Sequence, residues 1–240
     1  HALAIVPMCE ALADEAGRVS TSPVYVLHDI ALPGDPAAEA EDLRQTLGIS
    51  NAPLLMYVGN LESYQGIDML LDSFRLVHAR APEARLVIIG GKAEDIDRYR
   101  HRAETMGLGG TTHFVGPRPV NALDKYLRQA DILVSPRIHG TNTPMKVYSY
   151  LGSGRAIVAT DLPTHSQVMD QSTAVLADPE PKPFAESLIA LIENPDERRR
   201  IGVNAARVAA EKYSWPAFER RVRFIFDEVL QQLKAPLRDP

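Results

Sequence analysis

The sequence predicts an α/β fold in which helices cover both faces of a doubly wound parallel sheet. Short apolar runs that suit buried strands alternate along the chain with longer segments of helical periodicity. These helical segments are long enough to cross from one parallel strand to the next, and such crossovers are right-handed. The chain has 240 residues, of which 45% are hydrophobic and 24% charged, and this composition is ordinary for a globular protein.

The apolar runs become a regular series from residue 54 onward. The predicted strands are Leu54–Val58, Arg85–Ile89, Thr112–Val115, Ile132–Val134, Ala156–Ala159 and Ala174–Ala177. Ahead of this series, Ala2–Val6, which is apolar, and Val24–His28 are further strand candidates.

Helical periodicity fills the intervals between these strands. The predicted helices are Met8–Ala16, Glu39–Leu47, Gly66–Ala81, Glu94–Met106, Asn121–Gln129, Pro144–Leu151, Pro183–Glu193, Asp196–Tyr213 and Trp215–Leu233. A stretch rich in proline and glycine, residues 32–36, predicts a linker ahead of the regular series. The apolar face of the last helix is expected to pack on the fold, since its charges are mixed.

Composition excludes several classes of protein. The net charge of −5 and the isoelectric point near 5.8 argue against a general nucleic-acid binder. The single cysteine, Cys9, permits no intrachain disulfide and fits a reducing compartment. No apolar run is long enough for a membrane-spanning helix. The chain starts at His1 without a signal peptide, and we expect it to be a fragment of a longer protein.

The most informative stretch runs from residue 132 to residue 160 as strand, polar loop, helix, glycine stop and strand. Thr143 and Pro144 predict a helix N-cap followed by proline at the first helical position. Lys146 then falls in the first helical turn, where the helix dipole disfavours a cation. With Arg137 and His139 in the preceding loop, this arrangement predicts an anion-binding site. The alternative is a surface lysine on an ordinary βα unit.

A second loop lies between the strand at residue 54 and the helix that follows it. Gly59 and Gly66 bound the sequence NLESYQ, so the backbone here can approach a ligand closely. The loop lacks the G-x-G-x-x-G pattern, which disfavours a redox dinucleotide site. A tight turn that binds no ligand is the alternative interpretation.

Five segments occur in an order that is typical of one family. They are MYVGNLESYQGIDMLLDSF, LVIIGG, THFVGPRP, YLRQADILVSPR and NTPMKVYSYLGSGRAIVATD. In this order they resemble the retaining, family-4 type of GT-B glycosyltransferases, and more narrowly their C-terminal nucleotide-sugar-binding domain, which is Rossmann-like. The resemblance covers residues 54–233. Residues 1–53 would then be the remnant of the N-terminal domain and the linker, and residues 234–240 a tail.

The resemblance implies roles for charged residues at the phosphates. In the family, basic residues usually occupy the two positions held here by Asn60 and Gln65, and both meet the diphosphate of the donor. Amides can still donate hydrogen bonds but cannot neutralise charge. We therefore predict that Arg137 and Lys146 carry the catalytic stabilisation of the diphosphate. Backbone amides of residues 142–145 would assist them.

The sugar and ribose contacts depart from the family pattern. Two glutamates of the family correspond here to Thr141 and Ser149, whose hydroxyls can still bind sugar hydroxyls. A shifted alignment places His139 near the first of these positions. Asn142 and Thr143 could supply further contacts through an amide and a hydroxyl.

Other residues carry weaker signals. Arg118 follows a strand where relatives meet the nucleobase, so it either borders the base or is an exposed arginine. His165 and Gln167 lie in a loop that borders the donor site in relatives, where glutamate is common at the position of Gln167. For these two, a structural role is the alternative.

The resemblance implies the donor-binding half of a glycosyltransferase that moves a sugar from a nucleoside diphosphate sugar to an unidentified acceptor. Transfer would proceed with retention, without metal and without a cofactor beyond the donor. The implied partners are the donor and the missing N-terminal domain, with no nucleic acid. We expect a cytoplasmic protein, with peripheral membrane association possible through the absent domain. A non-catalytic binding or regulatory relative is the main alternative, and a sugar-nucleotide epimerase is a third.

Overall fold

The computed structural model describes residues 2–31 and 33–234, and its centre is a sheet of six parallel strands. The strands are β1 (Leu54–Val58), β2 (Arg85–Ile89), β3 (Thr112–Gly116), β4 (Ile132–Ser135), β5 (Ala156–Thr160) and β6 (Val175–Ala177). Each bound lies within one residue of the prediction. The predicted α/β class with a parallel sheet is therefore confirmed.

The strand order is β3-β2-β1-β4-β5-β6, with every neighbouring pair parallel. After β1 the chain builds outward through β2 and β3, and it then returns to the other side of β1 to form β4. Leu55 of β1 is in register with Ile132 of β4. The loops that leave these two strands diverge to opposite faces, and the crevice between them is where open α/β sheets bind ligands.

Helices flank both faces of the sheet. They are α1 (Glu10–Val19), α2 (Leu43–Thr46), α3 (Ile67–Arg80), α4 (Ala93–Thr105), α5 (Leu123–Leu127), α6 (Met145–Ser153), α7 (Pro163–Ser166), α8 (Pro181–Glu193), α9 (Pro195–Lys212) and α10 (Trp215–Lys234). Helix α3 packs against α8 on one face, and α6 packs against α9 on the other. Among residues 2–31 and 33–234, no helix combines the length and the apolar character needed to span a bilayer.

Two apolar cores lie on the two sides of the sheet. The first joins alternate strand residues to α3 and α8, with Phe74 and Phe184 fully buried at its centre. The second joins the remaining strand residues to α5, α6 and α9. Leu43 and Ile49 also belong to this second core, so the packed unit includes residues ahead of β1. Because both faces are covered, the strands are apolar throughout rather than alternating, which explains why the sequence indicates them clearly.

The helix predicted over Glu39–Leu47 is wrong in its extent. Helix α2 is a single turn because the Asp42 carboxylate accepts hydrogen bonds from the backbone N–H groups of Arg44 and Gln45, which fixes the helix start. The helix predicted over Asn121–Gln129 is also shorter, since α5 follows a turn of 3-10 helix. Short helix α7 is absent from the prediction.

The segment ahead of the linker differs most from expectation. The strands predicted over Ala2–Val6 and Val24–His28 are wrong as regular strands, because the two stretches meet in one isolated parallel bridge, Ile5 with Val24. Helix α10 lies against this segment, where Tyr25 contacts the ring of Phe224 edge-on at 6.2 Å. Of the predicted tail, only residue 234 lies within the described residues, and there it ends α10.

Candidate functional site

The candidate site lies at the carboxyl edge of the sheet, between the loops that follow β1 and β4. These loops touch through their backbones: Ile138 N–H donates to the Tyr64 carbonyl at 3.0 Å. Gly66 makes this approach possible, since its φ is 76° and a Cβ there would stand 1.9 Å from the Pro136 oxygen. Gly66, which the sequence indicated as a place for ligand approach, therefore serves the contact between the two loops.

Gly59 directly follows β1 and faces the same crevice. A Cβ at this position would stand 2.9 Å from the Tyr57 hydroxyl and 3.3 Å from Nζ of Lys146. The bare backbone thus leaves room for the lysine to reach the loop. The Tyr57 hydroxyl donates to the Asn60 carbonyl at 2.6 Å, and the exposed Asn60 side chain lies 3.5 Å from the Tyr64 hydroxyl.

Lys146 places a cation in this crevice. From the first turn of α6 its Nζ reaches across to Oε1 of Gln65, at 3.0 Å, and lies 4.1 Å from the centre of the Tyr57 ring. Gln65 is itself buried, with 7% of its surface exposed. Burial, and then the positive charge of Arg137, lower the pKa of the Lys146 ammonium to about 7. The lysine is therefore readily deprotonated until an anion arrives.

Arg137 shapes the loop after β4. Its guanidinium donates to the carbonyl of His139 at 2.7 Å and to the carbonyl and side-chain oxygen of Asn142, and it lies over the Tyr64 ring at 5.1 Å. Only 7% of the residue is exposed, and burial lowers its pKa. A side chain at Gly140 would overlap the guanidinium. Arg137 contributes charge to the crevice, while its hydrogen-bonding capacity is largely taken by the loop.

Neither cation forms an ion pair with a carboxylate in the part of the chain that the structure describes. Their partners are neutral oxygens and aromatic rings, so the crevice keeps a net positive character. Within residues 2–31 and 33–234, no cluster of three or more His, Cys, Asp or Glu side chains is arranged as a metal site. The polar groups present suit an anionic ligand.

The start of α6 lies one residue later than predicted. Pro144 rather than Thr143 is the N-cap, and the helix begins at Met145. The Thr143 side chain gives the helix no cap; it is buried, and its hydroxyl accepts a hydrogen bond from Nε2 of Gln167 at 2.8 Å. The prediction that Thr143 is the N-cap of α6 is wrong. Its hydroxyl is bound by Gln167, at the C-terminal end of α7, and does not cap the start of α6.

The other predicted contacts are spread over this loop and α6. His139 and Thr141 are exposed at the loop surface. Asn142 is half-buried, and its carbonyl also accepts from the Thr164 hydroxyl at 2.7 Å. Ser149 lies elsewhere on α6, where it lines a cavity of about 90 Å³ beside α5. The structure brings Arg137, His139, Thr141 and Asn142 into one loop and puts Ser149 in a separate cavity.

A larger cavity opens beside this crevice, over the ends of β1, β2 and β3. It has a volume of about 340 Å³, and its walls include Gly59, Asn60, Gly90, Gly91 and Arg118. The guanidinium of Arg118 is fixed by Glu41, at 2.6 Å, and by the Val115 carbonyl. Arg118 therefore forms a rigid wall of the cavity, and its charge is paired.

Two buried groups support the site: His165, for which the sequence left a structural role as the alternative, and Tyr150, which the sequence analysis missed. His165 is fully buried, and its Nδ1 lies 2.9 Å from the Thr160 carbonyl, which can only accept, so Nδ1 carries the proton. Its Nε2 then accepts from the Ser135 hydroxyl at 2.8 Å. Burial lowers the pKa of His165 to about 3, so the ring is neutral. The Thr160 hydroxyl in turn donates to the Arg137 carbonyl at 2.5 Å, which anchors the loop.

Tyr150 is the second supporting group. Its hydroxyl accepts from the Val58 N–H at 2.9 Å and so ties α6 to the end of β1. In the sequence, Tyr57, Tyr64 and Tyr150 resemble core aromatics. Their contacts show that they belong to the site: Tyr57 lies under Lys146, Tyr64 lies under Arg137, and Tyr150 bonds the end of β1. Their spacing in the chain carries no signal for this role.

Comparison with known proteins gives consistent results. A family model described as "Glycosyl transferases group 1" matches residues 39–208, which is more than half of the chain. The D-inositol 3-phosphate glycosyltransferase of Corynebacterium glutamicum is 27% identical over 208 residues, covering 82% of this chain and 49% of that protein. The chain thus spans about half the length of the curated relatives it matches.

Solved structures share the fold at lower identity. HepE from Anabaena in complex with UDP superposes with a TM-score of 0.83 at 14% identity, covering 95% of this chain and 64% of that chain. Sucrose-phosphate synthase from Thermosynechococcus elongatus gives a TM-score of 0.80 at 18% identity, covering 97% and 59%. This chain therefore shares the fold of both structures over almost its whole length.

Proposed function

Because the chain belongs to the glycosyl transferases group 1 family, we propose that it is the donor-binding half of a glycosyltransferase that uses a nucleoside diphosphate sugar. One observation carries this proposal: the Lys146 ammonium, joined to the Gln65 amide, stands uncompensated by any described carboxylate at the switch point of a parallel sheet. A diphosphate is the anion that suits such a crevice.

The residues of the crevice divide the tasks. As the bond between the sugar and the diphosphate breaks, negative charge develops on the leaving phosphate oxygen, and a fixed cation nearby lowers the barrier. Lys146 would meet this charge directly, with its proton held by the anion. Arg137 would add charge from the loop it organises, and Gln65 and Asn60 would donate amide hydrogen bonds.

The neighbouring cavity would take the nucleobase. Its volume of about 340 Å³ is of the size that small-molecule sites have, and it adjoins Gly59, where the diphosphate would lie. Arg118 would form one wall. The sugar would extend toward the loop of Thr141 and Asn142, and the family resemblance suggests retention of configuration and no metal requirement. Acceptor choice would belong to a part of the protein outside this chain, since the relatives are about twice as long.

The second candidate is a non-catalytic relative that binds a nucleotide or a partner. It is favoured by Thr141 and Ser149, which stand where the family usually has acids, and by the saturation of Arg137 with loop oxygens. Nucleotide binding is compatible with both candidates, but only the first predicts turnover.

Isothermal titration of this chain with uridine, guanosine and adenosine diphosphates and their glucose conjugates is the direct test. We expect one diphosphate series to bind with a Kd in the micromolar range and the matching nucleoside to bind far more weakly. Absence of binding across the panel would overturn the proposal. Hydrolysis or transfer of the bound sugar by the protein that contains both halves then separates the enzyme from the non-catalytic relative.

A further inference from the structure

Gln167, at the C-terminal end of α7, connects two parts of the molecule that are distant in sequence. Its Nε2 donates to the carbonyl of Thr141 at 2.9 Å and to the hydroxyl of Thr143 at 2.8 Å. Its Oε1 accepts from the backbone N–H of Ala11 at 3.2 Å. The same amide thus holds the loop after β4 and the first turn of α1.

The chemistry of these partners requires a glutamine. Ala11 lies in the first turn of α1, whose N–H groups have no acceptor within the helix, and the N-cap Cys9 provides no side-chain cap. The Thr141 carbonyl, conversely, needs a donor. If the Gln167 amide were flipped, its NH2 group would face the Ala11 N–H and its oxygen would face the Thr141 carbonyl. The orientation of the amide is therefore determined by its partners. A glutamate could accept from Ala11 but could not donate to Thr141.

Several hydrogen bonds hold this loop, and they connect it to different parts of the molecule. Arg137 and Thr164 hold Asn142 from within the sheet domain. Gln167 leads outward to α1, and the thiol of Cys9, 4.0 Å from the Thr141 carbonyl, adds a weak contact along the same route. A displacement of α1 therefore reaches the loop through residues 141–143, the part proposed to face the donor sugar.

We propose that Gln167 is a positioning residue that couples the segment ahead of the linker to the loop that receives the donor sugar. The link between α1 and the loop stands by itself, but its effect on the donor sugar rests on the proposed function, since the loop must contact the sugar. Coupling of this kind is reciprocal. Order in α1 favours a formed loop, and a sugar bound at the loop stabilises the start of α1.

The matched control is Gln129, which has the same bonding pattern away from the site. Its Oε1 accepts from the Leu43 N–H at the start of α2, and its Nε2 donates to the Glu41 carbonyl. Gln129 lines a separate cavity with Asp131, at the amino edge of β4. Gln129→Met therefore removes an equivalent set of hydrogen bonds without touching the crevice.

Hydrogen–deuterium exchange of the ligand-free chain tests the link itself. In Gln167→Met, exchange at residues 10–13 and 141–144 should rise together by about tenfold, since each region loses its anchoring hydrogen bond. Gln167→Glu should loosen 141–144 and leave 10–13 as in the wild type. If Gln167→Met leaves 10–13 unchanged, or Gln129→Met loosens them equally, the coupling does not exist.

Ligand binding tests whether Gln167 positions the loop for the donor sugar. We expect Gln167→Met to weaken binding of the sugar nucleotide about tenfold and of the nucleoside diphosphate less than twofold, with Gln129→Met unchanged for both. Bound sugar nucleotide should also protect residues 10–13 in the wild type and in Gln129→Met, and should not protect them in Gln167→Met. If Gln167→Met weakens the binding of both ligands equally, Gln167 does not position the loop for the sugar. If the wild type binds neither ligand, the proposed function and the sugar-positioning role fail together, while the exchange experiment still decides the link.

Discussion

Replacement of Lys146 by methionine removes the ammonium and keeps most of the length of the side chain. In the wild type, Nζ stands at the crevice 3.0 Å from Gln65 Oε1 and against the Tyr57 ring, and no described carboxylate pairs with it. A phosphate oxygen about 4 Å away would gain roughly 4 kcal/mol at an effective dielectric constant of about 20. Desolvation offsets part of this, and a charge-assisted hydrogen bond contributes about 2 kcal/mol net. The expected loss is about thirtyfold in Kd for a nucleoside diphosphate.

The pH dependence sharpens this test. The pKa of free Lys146 is about 7, so its charged form falls away as pH rises through that value, and bound anion restores it by raising the pKa. Wild-type affinity should therefore fall about tenfold between pH 7 and pH 8.5, because only the protonated fraction binds well. Nucleotide phosphates are already ionised in this range, and Lys146→Met should show no comparable fall.

Calorimetry in two buffers of different ionisation enthalpy gives the proton count directly. Near pH 7, wild-type binding should take up about half a proton, and Lys146→Met should take up almost none. Lys125→Met is the matched control, because Lys125 Nζ binds the Pro36 carbonyl at the far edge of the sheet. Equal affinity and equal proton uptake in wild type and Lys146→Met would refute the assignment of Lys146 to the diphosphate.

Three further predictions concern the frame of the site. Gly66→Ala should lower the free energy of unfolding by about 3 kcal/mol in urea titration, because the added Cβ meets the Pro136 oxygen in a left-handed backbone. His165 has a folded pKa of about 3 against 6.5 unfolded, so its contribution to stability is lost as pH falls through this window. His165→Asn should flatten the acid limb of a stability–pH curve. Arg137→Met should raise hydrogen–deuterium exchange at residues 138–142, because the loop loses its anchor. It should also weaken the binding of a nucleoside diphosphate without abolishing it, as measured by calorimetric titration.

The sheet could be predicted from sequence because burial on both faces leaves continuous apolar strands, such as Ile132–Ser135. Helix ends were predicted less well, since they depend on local hydrogen bonds. The Asp42 carboxylate starts α2 late, and Pro144 takes the N-cap position from Thr143. The weak pairing of Ile5 with Val24 could not be foreseen, because a short apolar stretch looks the same whether or not neighbouring strands extend it.

The candidate site was predictable in location and not in detail. Arg137 and Lys146 lie at one edge because both follow β4, and topology alone dictates this. The partners of Arg137 are mostly backbone carbonyls of its own loop, and carbonyls leave no trace in a sequence. The contact of Gln167 with Ala11 joins residues far apart in the chain, so no local pattern could indicate it.

The neutral residue beside Lys146 explains how this crevice could work with one well-placed cation. A second cation at the position of Gln65 would repel the ammonium and depress its pKa further, whereas the Gln65 oxygen accepts one of its hydrogens. Tyr57 covers another side of the ammonium, and Gly59 leaves the approach from the loop open. The Gln65 amide nitrogen remains a donor for a phosphate oxygen. Binding of the anion thus raises the pKa of Lys146 and so creates much of the positive charge of the crevice. A neutral ligand does not favour protonation of Lys146, and it gains little from the same contacts.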